Sequence, residues 1–249
     1  MVPIIKTTKK GFVSYSNEIM KLAGPLIISQ VAIIGISVTD IYMAGQLDSE
    51  TLAAVQLSIS IWNILSLAVV GLMVANSPII GGCWGSSEYE IVRSQFQQCC
   101  WLAFPISILI IIAILIGIYG LNSLSISERV AKIATGYLVP YFITALVFPL
   151  FLVFRTTFEG MGNTKPILIF NCIAFGINAV LDYMLVFGKL GAPSLGGIGA
   201  AWATTVAYIF LLIAMIFYAK LSKKATRLNL YYKFEKPSMP LIRGTLNLG

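Results

Sequence analysis

Two aspartates stand out because each interrupts a long apolar stretch. "ISVTDIYMAG" (residues 36–45) carries Asp40, and "FGINAVLDYMLVFG" (175–188) carries Asp182. A carboxylate near the centre of a membrane span costs about 2.5 to 3.5 kcal/mol on insertion scales, and such residues usually face a bundle interior or cavity and have a function there. The pair therefore predicts a buried site for a proton or a hard cation such as Na⁺.

Polar neighbours extend this site. Asn178 precedes Asp182 by four residues, so the two side chains share a helix face. Thr204 and Thr205 lie about one and a half turns into the last apolar stretch. Carboxylates, an amide and a hydroxyl at one level would form an oxygen-rich pocket, and two nearby carboxylates in a low dielectric should take up a cation readily.

Two other interpretations of the aspartates remain. Asp40 would end its helix near the membrane interface, and Asp182 would bond to adjacent backbone. Alternatively, the pair would be catalytic, as in an intramembrane aspartyl protease, although the Tyr-Asp and Gly-x-Gly-Asp surroundings of such enzymes are absent. The chain also has no histidine, which removes imidazole-based acid–base chemistry and metal sites. We expect no enzyme activity.

The composition predicts the elements that must position these residues. The chain is 58% hydrophobic and 11% charged, whereas soluble domains are roughly a quarter charged. Six apolar stretches are long enough to cross a membrane, which requires about 20 helical residues. The fold class is therefore predicted to be all-α, a polytopic membrane protein with six transmembrane helices. The stretches are residues 22–43, 52–80, 96–121, 133–158, 166–188 and 198–219.

Charge predicts orientation rather than a nucleic-acid partner. Of the 17 Lys and Arg residues, all but Arg129, Lys132 and Lys189 fall on one side of the predicted topology. The positive-inside rule makes that side cytoplasmic. The prediction is a multi-pass protein of the plasma (inner) membrane with both termini in the cytoplasm.

The predicted topology divides the chain into three parts. Residues 1–16 would be a cytoplasmic segment, residues 17–222 the six-helix lobe, and residues 223–249 a basic cytoplasmic linker followed by the start of a seventh helix. The linker is expected near anionic lipid headgroups.

The topology also gives both aspartates a similar depth. Stretches 1 and 5 run in the same direction, and Asp40 and Asp182 lie three and six residues from the ends of their stretches, a difference of about 5 Å. Pro25 lies in the helix that carries Asp40, and we predict that it provides a functional bend.

Several segments resemble one family, the multidrug and toxic compound extrusion (MATE) transporters. The likeness covers most of the chain and is most specific in its last segment. This resemblance implies that Asp40, Asn178, Asp182 and Thr204 line a cation site in the amino-terminal lobe. Some members have asparagine at the position of Asp182, which leaves H⁺ and Na⁺ open. The segments are "LAGPLIISQVAIIGISVTDIYMAGQL", "LAAVQLSISIW", "FRTTFEGMGNTKP" and "INAVLDYMLVFGKLGAPSLGGIGAAWAT".

The resemblance also implies what the chain lacks. Family members have twelve helices in two lobes with the substrate cavity between them, and "MPLIRGTLNLG" resembles the entry into their seventh helix. We therefore expect the amino-terminal half of a cation-coupled antiporter that exports drugs or other amphipathic organic compounds. Its expected partners are membrane lipids, a small organic substrate and a second six-helix lobe, with no cofactor beyond the coupling ion.

Two alternatives come from other functional classes. One is a flippase for lipid-linked oligosaccharides from the same superfamily, which should line its cavity with Arg and Lys. The other is a remnant or interaction protein that transports nothing. The sequence leaves open the exported compound, the coupling ion, the oligomeric state and whether the half-length chain is functional, part of a split transporter or a fragment.

Overall fold

The computed structural model describes residues 9–123, 125–226, 228, 230 and 234–238. All regular secondary structure in this part of the chain is helical. The helices are α1 (Lys9–Gly45), α2 (Ser49–Val74), α3 (Asn76–Gly85), α4 (Tyr89–Ser123), α5 (Glu128–Leu138), α6 (Tyr141–Gly160), α7 (Lys165–Phe187), α8 (Gly197–Leu221) and the short α9 (Lys223–Thr226).

Six helical stretches within the described residues are long and apolar enough to cross a membrane. Large apolar side chains such as Leu67 and Ile116 are more than half exposed, as expected for a surface that faces lipid rather than water. The predicted all-α fold with six transmembrane segments is confirmed, and the chain is an integral membrane protein. The stretches are Ile19–Gly45, Ser49–Gly85, Tyr89–Leu121, Tyr141–Gly160, Lys165–Phe187 and Gly197–Leu221.

Two predicted stretches are broken by proline. In the second, Pro78 has no N–H to donate to the carbonyl of Val74, and the helix is interrupted at Ala75, between α2 and α3. In the fourth, Pro140 cannot donate to Gly136, so the predicted single helix over residues 133–158 is wrong. Two helices, α5 and α6, meet there instead.

The predicted domain limits fall partly outside the described residues. Helix α1 begins at Lys9, before the predicted start of the lobe at residue 17. Residues 1–8 and 239–249, which include the predicted start of a seventh helix, are not described.

Consecutive spans run in opposite directions, which gives the bundle two ends. At the far end, formed by residues 46–48, 125–127 and 188–196, Arg129 contacts Asp48 at 2.8 Å. At the near end, formed by residues 86–88, 161–164 and the end of α8, Asn163 donates to the Tyr218 hydroxyl at 2.8 Å. Both α1 and α7 therefore run from the near end to the far end.

Helix α7 packs between α1 and α8 and sets their spacing. A Cβ atom at Gly199 on α8 would lie 2.7 Å from the carbonyl oxygen of Leu185 on α7, so the two backbones are in direct contact. Gly188 ends α7 in the left-handed conformation, with φ of 66°, which glycine adopts without strain. These two glycines allow α7 and α8 to form a tight pair beside α1.

The described part of the linker lies along α4. The buried side chain of Gln97 donates to the carbonyl of Leu230 and accepts from the N–H of Glu235. Gln98 donates to the carbonyl of Lys236 and accepts from the N–H of Ser238. Because each amide satisfies both a donor and an acceptor of the backbone, the segment is held in one register on α4.

Candidate functional site

Asp40 is buried in the far half of the bundle and accepts hydrogen bonds from three other helices. Tyr137 of α5 donates to Oδ2 at 2.6 Å. Thr204 of α8 lies 2.9 Å from Oδ2 and 3.2 Å from Oδ1, and Asn178 of α7 donates to Oδ1 at 3.3 Å. These donors compensate the carboxylate for the loss of water.

Asp182 has a different environment, although it lies at the same level. Asp40 and Asp182 are each five residues from the ends of α1 and α7, and the two carboxyl groups are near enough to interact electrostatically. Neither oxygen of Asp182 has a hydrogen-bond partner among the described residues, and the side chain is fully buried. Two carboxylates only accept hydrogen bonds, so they cannot satisfy each other unless a proton or cation lies between them.

The oxygen of Asn178 adds a further acceptor. Its Nδ2 donates to Asp40 and to Thr204, at 3.3 and 3.1 Å, while its Oδ1 has no partner among the described residues. Buried polar atoms are nearly always paired, and an exception calls for an explanation such as a bound ion. The donor set, two carboxylates and an amide oxygen, suits a proton or a hard cation.

The structure thus brings together four of the six residues that the sequence singled out. Asp40, Asn178, Asp182 and Thr204 form one cluster, although their role in cation binding stays a prediction. Thr205 is not in it, because it lies 3.0 Å from Thr144 and donates to the carbonyl of Ala201. The remaining residue, Pro25, is in the continuous helix α1, about 22 Å along the axis from Asp40.

Sequence reasoning missed Tyr137 and its neighbour Tyr141. Their rings stack with centroids 5.6 Å apart, and the hydroxyls lie 3.5 Å from each other. A signal was present: Tyr137, Tyr141 and Thr144 recur at intervals of four and three residues, which places polar groups on one face of the fourth stretch.

A cavity of about 360 Å³ opens beside the cluster between α1, α2, α6 and α8. Trp62 lines it and also contacts Tyr141, with ring centroids 4.7 Å apart. Asp40, Tyr137, Tyr141 and Trp62 therefore form a continuous chain of contacts from the carboxylate to the cavity wall. The cavity is lined by Gln30, Ile33, Ile34, Ser37, Trp62, Asn63, Ser66, Leu67, Val70, Phe148, Phe151, Arg155 and Tyr208.

An ion pair lies at one edge of this cavity. Arg155 donates to Glu159 at 2.7 Å and to Gln30 at 3.3 Å. Among the described lining residues it is the only basic one, and its charge is balanced by Glu159. The remaining wall is mostly aromatic and aliphatic, with Phe148 packed between Trp62 and Tyr208 at 5.5 and 5.3 Å.

Comparison with known proteins identifies relatives of this chain. A family model described as MatE matches residues 25–184. Multidrug resistance protein NorM of Aliivibrio fischeri (strain ATCC 700601 / ES114) is 32% identical over 238 residues, which are 94% of this chain and 52% of that protein. NorM of Vibrio cholerae serotype O1 is 30% identical over 222 residues, covering 89% and 49%. The chain spans about half the length of the curated relatives it matches.

Solved structures show the same relation in the fold. A structure described as MATE in complex with MaL6 matches with a TM-score of 0.82 at 21% identity, over 92% of this chain and 50% of that one. The eukaryotic MATE transporter AtDTX14 matches with a TM-score of 0.72 at 23% identity, over 96% and 51%. The six spans therefore have the fold of one half of a MATE transporter.

Proposed function

Because this chain belongs to the MatE family, we propose that it forms the amino-terminal lobe of a cation-coupled multidrug antiporter. Amphipathic organic compounds would move outward while H⁺ or Na⁺ moves inward. The export function rests on the relatives, which are multidrug resistance proteins. The coupling function rests on the cluster around Asp40.

The observation that carries the proposal is the pair of unpartnered oxygens of Asp182 beside Asp40. A proton shared between the carboxyls, or Na⁺ held by both and by Asn178 Oδ1, would supply the partner that these oxygens lack. Tyr137 and Thr204 hold Asp40 in place for that exchange. Binding a cation would then tie α1 to α7 through their aspartates.

The aromatic contacts provide a route from this cluster to the cavity. A cation bound at Asp40 would weaken the hydrogen bond that the Tyr137 hydroxyl donates to Oδ2. Tyr137 itself stacks on Tyr141. Tyr141 in turn contacts Trp62 in the cavity wall. Coupling between two sites needs such a connected element with two arrangements, and these rings are our candidate for it.

The cavity wall favours flat or cationic amphipathic compounds. Aromatic rings provide large apolar contact area and attract cations over their faces. A flippase for pyrophosphate-linked oligosaccharides would need unpaired cationic side chains, whereas Arg155 is neutralised by Glu159. A second lobe would supply the other half of the wall, and the solved structures leave room for one because they are about twice as long as this chain.

Orientation follows from charge. With most Lys and Arg residues of the described chain at the near end, we propose that this end is cytoplasmic in the plasma (inner) membrane, and that Asp40 lies in the outer half of the bilayer. One elementary charge that moves down 100 mV yields about 2.3 kcal/mol, enough for a roughly 50-fold gradient of exported substrate.

Cation binding by the 249-residue chain tests the coupling site directly. The chain is reconstituted in lipid nanodiscs, and equilibrium binding (uptake) of ²²Na⁺ or of protons is measured, proton binding with a pH-sensitive dye. We expect Asp40→Asn and Asp182→Asn to abolish uptake. Glu90→Gln, which changes an exposed carboxylate, should leave it unchanged. Uptake that survives both aspartate substitutions would contradict the assignment.

Efflux tests the division into lobes. We expect the 249-residue chain to insert with both termini cytoplasmic and to bind the cation, yet to export no dye from cells that lack other pumps. Efflux should appear when the second lobe of a NorM relative is co-expressed, and Asp40→Asn should remove it. Robust gradient-dependent efflux by the chain alone would show that one lobe is sufficient.

A further inference from the structure

A second polar pair is buried in the contact between α1 and α7, nearer the near end. Asn171 donates through Nδ2 to the hydroxyl of Ser29, and both side chains are fully buried. The other end of the amide, Oδ1, has no partner among the described residues. Turning the amide over would leave its NH₂ group unpaired instead, so Ser29 satisfies only one end in either orientation.

Unpartnered polar atoms are concentrated on this face of α7. Six buried side-chain atoms in the described part of the chain lack a partner, and four of them belong to Asn171, Asn178 and Asp182. These residues follow each other at intervals of seven and four, so they lie in one column along the helix. Random packing defects would not be expected to follow a single helix face.

We propose that Asn171 and Ser29 form a second oxygen site through which the coupling cation passes between the Asp40–Asp182 cluster and the near end. This inference rests on the function proposed above and extends it from a single site to a route. The ligand is an oxygen-coordinated monovalent cation, either Na⁺ or a proton carried on water. Asn171 Oδ1 and the hydroxyl oxygen of Ser29 are both acceptors suited to it.

The spacing fits a stepwise route. Asn171 lies about 10 Å along the axis from Asn178, and Ala174 is the buried residue of α7 between them. Ala32 is buried on the facing part of α1. Both are small side chains, whereas Ile167 and Val186 are buried nearer the two ends of α7.

The amide of Asn171 and the hydroxyl of Ser29 suit transient rather than tight binding of a cation. A neutral amide and a hydroxyl hold a cation less strongly than two carboxylates do. Conduction requires sites that bind well enough to accept an ion and weakly enough to release it. A merely structural role, in which the amide only joins α1 to α7, would instead affect stability and leave the rate of cation exchange unchanged.

The test compares exchange kinetics with equilibrium binding in the nanodisc-reconstituted 249-residue chain. Asn171→Leu keeps the size of the side chain and removes its oxygen, whereas Asn171→Asp keeps the size and adds a charge. Cys172→Leu, at the adjacent exposed position, is the matched control. Equilibrium uptake of ²²Na⁺ and of protons, dissociation of ²²Na⁺ in a chase, proton release after a pH jump and the melting temperature are measured for each variant.

We expect Asn171→Leu to keep the equilibrium affinity within about twofold and to slow exchange by about tenfold, which corresponds to one lost polar contact at the barrier. Asn171→Asp should restore rapid exchange and raise the number of bound cations above that of the wild type. The control should match the wild type in every measurement. A slowed ²²Na⁺ chase identifies Na⁺ as the ion that passes, and a slowed proton release identifies H⁺.

Two outcomes overturn the inference and are distinguishable. If the wild type binds cations and Asn171→Leu exchanges them at the same rate, the cluster at Asp40 stands and the second site does not. If the wild type takes up neither Na⁺ nor protons, the proposed function fails and the second site fails with it.

Discussion

The close contact of α7 and α8 makes Gly199→Ala a sharp test of how packing positions the candidate site. The new Cβ atom would lie 2.7 Å from the carbonyl carbon and oxygen of Leu185. An ordinary contact begins near 3.4 Å, so the helices must separate by about 0.7 Å. If α8 moves as a rigid helix, the distance from Asn178 Nδ2 to Thr204 Oγ1 grows from 3.1 to about 3.8 Å, and that hydrogen bond is lost.

The expected effect has two parts. Overpacking costs about 1 to 3 kcal/mol, and each kcal/mol lowers the melting temperature by about 2 to 4 °C in a chain of this size. Cation uptake should weaken as well, because Thr204 moves away from Asp40. Gly176→Ala, on α7 with open space around it, is the matched control and should keep wild-type melting and uptake. A Gly199→Ala variant that melts and binds like the control would refute this account of the packing.

Three further predictions concern the far end, the linker and the aromatic contacts. The Thr51 N–H, and then Arg129, lower the pKa of Asp48 below its ordinary value of 3.8. The stabilisation from the ionised Asp48 is therefore fully present above its ordinary pKa and is lost as the pH falls through its lower pKa in the folded protein. The difference in melting temperature between the wild type and Arg129→Gln should then shrink on acidification. Gln97→Met with Gln98→Met removes four hydrogen bonds of about 0.5 to 1.5 kcal/mol each and should release the linker from α4. Chymotrypsin cleavage after Phe234 should then rise by at least about tenfold. Substitution of the exposed Gln56 by Met is the control, and unchanged cleavage in the double variant would contradict the contact between the linker and α4. Tyr137→Phe leaves both aspartates in place, so the cation should still bind, with a changed affinity because Asp40 loses a donor. The fluorescence change of Trp62 on cation addition, measured as the difference from Trp62→Phe, should disappear, and a retained signal would exclude the Tyr137 hydroxyl as the connecting group.

The six spans and the depth of the aspartates could be predicted because both depend on local pattern. A run of apolar residues fixes a transmembrane helix, and alternating direction then places Asp40 and Asp182 at one level. Contact between α1 and α7 could not be predicted in this way. It depends on which helices pack together, and spacing within one helix contains no information about its neighbours.

The breaks in the second and fourth stretches show a second limit. Both contain proline, but so do α1, α4 and α6, where Pro25, Pro105 and Pro149 lie inside continuous helices. The missing N–H is common to all five, so the outcome depends on whether neighbouring helices favour a turn there. Tyr137 was missed for a related reason, because its hydrogen bond to Asp40 joins α5 to α1 and spacing within α5 does not predict that neighbour.

The arrangement of helices explains how one lobe could contain a cation site yet only part of a cavity. Donors to Asp40 come from α5, α7 and α8, whereas the described cavity wall comes from α1, α2, α6 and α8. Helices α1 and α8 belong to both, since α1 carries Asp40 together with Gln30, Ile33, Ile34 and Ser37, and α8 carries Thr204 and Tyr208. Helix α1 is also the least buried of the six described spans. In the proposed mechanism a cation that ties Asp40 to Asp182 acts directly on this helix, and any shift of α1 along α7 changes the cavity wall at the same time. Coupling would then need no long pathway through the lobe, only a helix that is shared by the two sites.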